Sequence, residues 1–127
     1  MSLLDEAKRV RDHAHVPYSG FKVGAAIRTP SGKVYAGCNV ENAAYPEGTC
    51  AEAGAIAAMV QQGGKRIVKI AVVGGSTEVG PCTPCGGCRQ RISEFANDDT
   101  LILAIDDSGE WQEFSIKELL PASFHLD

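Results

Sequence analysis

Leu3, Leu4, Ala7, Val10 and Ala14 recur at helical spacing, and Asp5 and Glu6 precede Lys8, Arg9 and Arg11 in the order the helix dipole favours. A first helix is predicted to end near His15, because Val16-Pro17-Tyr18-Ser19-Gly20 cannot continue it. Phe21 to Ile27 and Lys33 to Asn39 are rich in strand formers and flank Thr29-Pro30-Ser31-Gly32, so they read as a β-hairpin. A loop from Val40 to Gly48 leads into the alanine-rich run Cys50 to Gln62, which reads as a largely buried helix stopped by Gly63-Gly64. Ile67 to Val73 is an apolar, β-branched run suited to a strand covered on both faces. Glycine and proline interrupt the chain up to Pro84; Cys85 to Phe95 then reads as a third long helix and Leu101 to Ile105 as a strand. Asp106-Asp107-Ser108-Gly109 turns into a short strand, Glu110 to Phe114, and Ser115 with Glu118 three residues on forms a capping-box pattern for a last helix ending at Pro121. The order αββαβαββα describes one sheet covered by helices, and a length of 127 residues suits a single domain spanning 1–127.

Composition narrows the function classes. A hydrophobic fraction of 44% beside 22% charged residues excludes a disordered or collagen-like chain. No apolar run approaches the about 20 residues of a membrane span. The start, Met-Ser-Leu-Leu-Asp-Glu-Ala-Lys-Arg, lacks the apolar stretch of a secretory signal, so a cytoplasmic location with reduced thiols is expected. With a net charge of −4 and no basic run longer than Lys65-Arg66, a nucleic-acid partner is disfavoured and a small neutral ligand fits better. The five cysteines, Cys38, Cys50, Cys82, Cys85 and Cys88, are odd in number and suit a metal site or buried thiols better than a disulfide framework. His13, His15 and His125 are expected at solvated positions and not as ligands.

Two segments carry candidate chemistry. Cys50-Ala51-Glu52 opens the second long helix and Pro84-Cys85-Gly86-Gly87-Cys88 opens the third. Cysteines three apart share a helical face, and the positive end of the dipole favours the thiolate that zinc requires. Three thiolates fill three corners of a tetrahedron; a water at the fourth makes a catalytic site, whereas a fourth cysteine, for which Cys82 is the candidate, makes a structural one. Otherwise Cys38 and Cys82 are expected as small buried residues. Glu52 lies on a different side of the helix start from Cys50, which suits a proton shuttle. Thr49-x-x-Glu52 also fits a capping box, in which the carboxylate would do no more than satisfy backbone donors.

Cysteine-x-glutamate followed by Pro-Cys-x-x-Cys is the pattern of zinc-dependent nucleobase deaminases. The chain resembles the cytidine deaminases of the small, all-cysteine, homotetrameric type over nearly its whole length. Further matches lie in Val16-Pro17-Tyr18-Ser19, Phe21-Lys22-Val23-Gly24-Ala25-Ala26, the run from Gly37 to Tyr45 that contains Asn39-Val40-Glu41-Asn42, and Leu119-Leu120-Pro121-Ala122-Ser123-Phe124. The resemblance implies a three-layer α/β/α sandwich with a mixed five-stranded sheet, and one Zn2+ per subunit on Cys50, Cys85 and Cys88. It implies that Asn39 and Glu41 bind the ribose 3′-hydroxyl, that Tyr45 helps close the sugar pocket, that Phe21 packs on the base and that the Ala51 N–H donates to the pyrimidine carbonyl. Phe124 would reach into a neighbouring subunit's site. The implied reaction is attack of zinc-activated water on C4 of cytosine, with Glu52 protonating N3 and then the leaving amine, in pyrimidine nucleoside salvage. Many tetrameric relatives carry arginine directly after the catalytic glutamate, where it offsets thiolate charge. Here Ala53 stands there, and Arg89, next to Cys88, is expected to donate to the cysteine sulfurs instead. Alternatives are deamination of a cytosine nucleoside antibiotic such as blasticidin S, a non-catalytic zinc-binding module, and a nucleic-acid editor, which the acidic balance disfavours.

Overall fold

Alternation along the central strands decides what covers each face of the sheet. Ala25, Ile27, Ile70 and Val72 point to one side, where they join Ala55, Ile56, Met59 and Ile92 in the larger core. Ala26, Ala71 and Val73 point to the other side and pack with Leu3 and Ala7. The structure, a computed structural model, describes residues 2–126. Its elements are α1 (Leu3–Arg11), β1 (Lys22–Arg28), β2 (Val34–Cys38), a 3-10 turn (Tyr45–Glu47), α2 (Ala51–Gln61), β3 (Lys69–Gly75), α3 (Gly86–Phe95), β4 (Leu101–Ile105), β5 (Trp111–Phe114) and α4 (Ile116–Leu119). The strands form one sheet in the order β2-β1-β3-β4-β5. β3 and β4 run parallel, and the other neighbours are antiparallel. The sheet is therefore mixed and five-stranded, with α1 on one face and α2 and α3 on the other, as the resemblance implied.

The capping box expected at Ser115 forms with Glu118 at the start of α4, and a second one, not read from the sequence, pairs Ser2 reciprocally with Asp5 at the start of α1. The largest boundary difference is at the end of α1, which stops at Arg11 and not near His15. His15 N donates to Asn39 O (3.0 Å) and Glu41 N donates to His15 O (2.8 Å), so the backbone there is drawn into a bridge beside the segment after β2. A tertiary pairing overrides the local helical pattern.

Two close approaches fix the relation of helices to sheet. A Cβ added to Gly24 would lie 2.1 Å from Ala7 O, and one added to Gly37 would lie 2.3 Å from Ala55 N and 2.6 Å from Ala51 O. At Gly37 the backbone of β2 touches the first turns of α2, so the position of that helix start is set by the absence of a side chain on the sheet. Arg11 serves the opposite face. It is only 7% exposed, and its Nη2 donates to Gly75 O (2.6 Å) and Thr77 O (3.2 Å), tying α1 to the start of the β3–α3 connection.

Gly37→Ala is expected to destabilise the fold at the upper end of the ~1–3 kcal/mol range for overpacking, because the obstacle is backbone and not a movable side chain. Urea unfolding measures it; an unchanged midpoint would show that the α2 seat tolerates a methyl group.

Candidate active site

The N-caps of α2 and α3 are Cys50 and Cys85, both extended and neither making a side-chain capping bond. Cysteine thus occupies positions where Ser, Thr, Asp or Asn ordinarily closes a helix. The N–H groups of both first turns and the positive ends of both dipoles face the same region. Cys88, one turn into α3, completes the set: the Sγ atoms of Cys50, Cys85 and Cys88 all lie within 4.8 Å of one another. Sulfurs on a tetrahedral zinc, each at about 2.3 Å, stand roughly 3.8 Å apart. A small contraction fits this triplet to such an ion, and three cysteine sulfurs are a donor set that suits zinc.

Cys82 does not join the triplet. Its backbone N donates to Ile105 O (2.9 Å), and its thiol lies against Gly74, where an added Cβ would be 2.6 Å from Sγ. Burial pushes the Cys82 thiol up to about 11, as befits a small buried residue. No other group of three or more ligand-type side chains converges among the described residues.

The expectation that both helix starts favour thiolates needs correction. Cys85 is lowered, chiefly by the backbone N–H of Cys88, but Cys50 and Cys88 are raised because burial outweighs the dipole. Two of the three sulfurs therefore need a cation to be held ionised. Glu52, 4% exposed, is raised by desolvation as well. The Thr49-x-x-Glu52 capping box does not form: Cys50 is the cap residue, and Thr49 pairs through its backbone with Val40. This leaves the Glu52 carboxylate directed into the site.

The second correction concerns arginine. Arg89 turns away from the sulfurs: Nε donates to Pro84 O (2.7 Å), Nη1 to Leu119 O (3.0 Å) and Nη2 to Thr83 Oγ1 (3.4 Å). Arg91 donates instead, from Nη1 to Cys88 Sγ at 3.4 Å. Helical geometry explains the difference, since residues three apart share a face and adjacent residues do not. Counting three from Cys88 would have found it.

Above the triplet opens a cleft of about 370 Å³ lined by Phe21, Asn39, Glu41, Cys50, Ala51, Glu52 and Cys85. Such a volume suits a small organic ligand. Asn39 and Glu41 also hold the segment that carries Phe21. Asn39 Oδ1 accepts from Val23 N (2.8 Å) while Nδ2 donates to Phe21 O (2.9 Å). Glu41 accepts from Tyr18 N (3.0 Å), Ser19 N (3.1 Å) and Ser19 Oγ, and these bonds hold its carboxyl below the ordinary range. Ser19 is a contributor that the sequence reading missed. Tyr45 does not line this cleft. It is 76% exposed and packs edge-on to Tyr18 in an adjoining groove that shares Glu41. Phe124 lies apart on the C-terminal tail, 69% exposed, its carbonyl accepting from Gln90 Nε2 (2.9 Å).

Comparison with known proteins gives a consistent result. The model for the cytidine and deoxycytidylate deaminase zinc-binding region matches residues 1–104. A cytidine deaminase of Sporosarcina psychrophila is 43% identical over 122 residues, covering 96% of this chain and 88% of that protein. One from Halalkalibacterium halodurans is 41% identical, covering 96% and 91%. The crystal structure of cytidine deaminase from Burkholderia pseudomallei superposes with a TM-score of 0.86 at 40% identity, covering 98% of this chain and 100% of the other.

Elemental analysis of the purified protein is expected to find one zinc per chain, lost in Cys88→Ser and kept in Cys82→Ala. Loss of zinc from the Cys82 variant alone would move the ligand set.

Proposed function

The chain belongs to the cytidine and deoxycytidylate deaminase family, a family of hydrolytic enzymes, and on that premise we propose that it converts cytidine and deoxycytidine to uridine and deoxyuridine with release of ammonia, in pyrimidine nucleoside salvage in the cytoplasm. The observation that carries this reading is the meeting of three cysteine sulfurs and a buried carboxylate, Glu52, at the floor of a cleft that Asn39 and Glu41 border.

Cys50, Cys85 and Cys88 would hold the zinc. When bound, that ion supplies the Lewis acidity that makes water nucleophilic at neutral pH. Glu52 handles the protons. Burial raises its affinity for a proton, so it can take one from the attacking water, give it to N3 of the ring, and later pass a proton to the departing amine at C4. The overall balance is one water consumed and one ammonia released. The Ala51 N–H, uncapped at the helix start, donates to the C2 carbonyl and holds the pyrimidine in register. Phe21 covers the base. Asn39 retains one amide hydrogen and Glu41 retains lone pairs beyond the bonds already made, enough for the sugar 3′-hydroxyl.

Tyr45 helps close the sugar pocket, and Phe124 enters a neighbouring copy's site in a homotetramer whose copies share their pockets. Their exposure, with Leu126 86% exposed beside Phe124, supports a covering neighbour. The retained Asn39 and Glu41 favour ordinary nucleosides over blasticidin S.

Ammonia release from cytidine, with Glu52→Gln as control, tests the reading. The variant is expected to keep zinc and fold while kcat falls about 10²–10⁴-fold. Unaltered turnover in the variant, or turnover of blasticidin S with none of cytidine, would overturn it.

A further inference from the structure

Three thiolates around a divalent ion leave a net charge of −1, and an ionised Glu52 carboxylate makes it more negative. Cys88 and Glu52 are buried, so on their side of the site water offers this charge little screening, whereas Cys85 is exposed. The two helix N-termini supply partial positive charge but no full cation. On α2 the residue after Glu52 is Ala53, which has nothing to contribute. On α3 the guanidinium of Arg91 reaches back one turn and bonds Cys88 Sγ at 3.4 Å. Gly87 makes room for it: a Cβ there would stand 3.3 Å from Arg91 Nη1, closer than ordinary contact. A side chain at position 87 would press on the path the guanidinium takes to the sulfur.

We propose that Arg91, bonded to Cys88 across the bare first turn of α3, is the cation that offsets the thiolate charge of the zinc site in this chain. The inference rests on the zinc reading above and adds a positioning residue to it. Arg91 does not touch the substrate. It withdraws electron density from one thiolate by a charge-assisted bond, so that less density reaches the metal and its acidity is kept.

Removing the charge makes the loaded site more negative relative to the zinc-free site with neutral thiols, so zinc is held less tightly. The test uses the full-length protein with Arg91→Gln and Arg91→Lys, zinc being competed away with a chromogenic chelator at pH 7. Arg91→Gln is expected to weaken zinc retention about 10–100-fold. In the cobalt-substituted form its sulfur-to-cobalt charge-transfer band is expected to move to longer wavelength, because an unbonded thiolate is easier to oxidise. Arg91→Lys, which keeps the charge, is expected to recover most of both properties. Wild-type zinc retention and band position in Arg91→Gln would overturn the proposal. So would an equal deficit in the lysine variant, which also decides the case if the glutamine variant fails to fold. A wild-type protein that holds zinc and deaminates cytidine while Arg91→Gln is indistinguishable from it defeats this inference alone; a wild-type protein without zinc defeats the functional reading as well.

Discussion

The close meeting of two helix starts is the constraint on which the rest of the structure depends. Bringing three sulfurs within 4.8 Å requires α2 and α3 to end their N-terminal turns at one point above the sheet. Backbone contact at Gly37 seats α2, and the bridge from Cys82 to Ile105 steers the connection from β3 into α3. Arg11 fastens the beginning of that connection from the opposite face of the sheet. The site is thus carried on rigid elements and not on a free loop, which is how a ligand set keeps the geometry a metal requires. Because the sulfurs converge only in the folded chain, a bound ion stabilises the fold by its full preference for the assembled site.

Electrostatics in this cavity are a contest between burial and local donors. Burial drives Cys50, Cys88 and Glu52 toward their neutral forms. Backbone N–H groups at the start of α3 win at the exposed Cys85, which is lowered, but do not win deeper in. The proton transfer proposed for Glu52 benefits from that balance. A carboxyl with an ordinary solvent-exposed pKa would be a weak base at neutral pH, whereas a desolvated one both accepts and returns a proton readily.

The order of elements was legible because helical and alternating periods are local signals; of the capping patterns, the one read at Ser115 forms, the one at Thr49 does not, and the one at Ser2 went unread. The three cysteines and Glu52 were legible for a similar reason, as each motif is contiguous at a helix start. What escaped the sequence depends on orientation or on distant partners. Expecting Arg89 at the sulfurs took adjacency in sequence for adjacency on a helix face. The early end of α1 comes from a bridge to residues more than twenty positions away. Arg11 read as a surface cation favourable to a helix C-terminus, yet it is buried, with Nε lacking any partner, because carbonyls of residues 75 and 77 converge on its Nη2. Tyr45 and Phe124 stand exposed outside the cleft, where sequence pattern alone does not say what covers them.

The double duty of Asn39 and Glu41 bears on selectivity. Together the two side chains hold the segment that carries Phe21 through bonds to Tyr18, Ser19, Phe21 and Val23, so the cleft is organised before any ligand enters. Preorganisation lowers the entropic cost of binding. It also limits discrimination. Strong rejection of an analogue arises when a missing hydroxyl leaves buried polar groups unpaired. Here Glu41 already accepts three bonds, and the carboxylate stays satisfied when a sugar lacks its 3′-hydroxyl. The loss is then nearer the about 0.5–1.5 kcal/mol of one net hydrogen bond than the penalty of an orphaned charge. On the proposed reading, stringency comes from the floor of the cleft, where Glu52 and the sulfurs would meet the ring, and the sugar contacts would chiefly set its register.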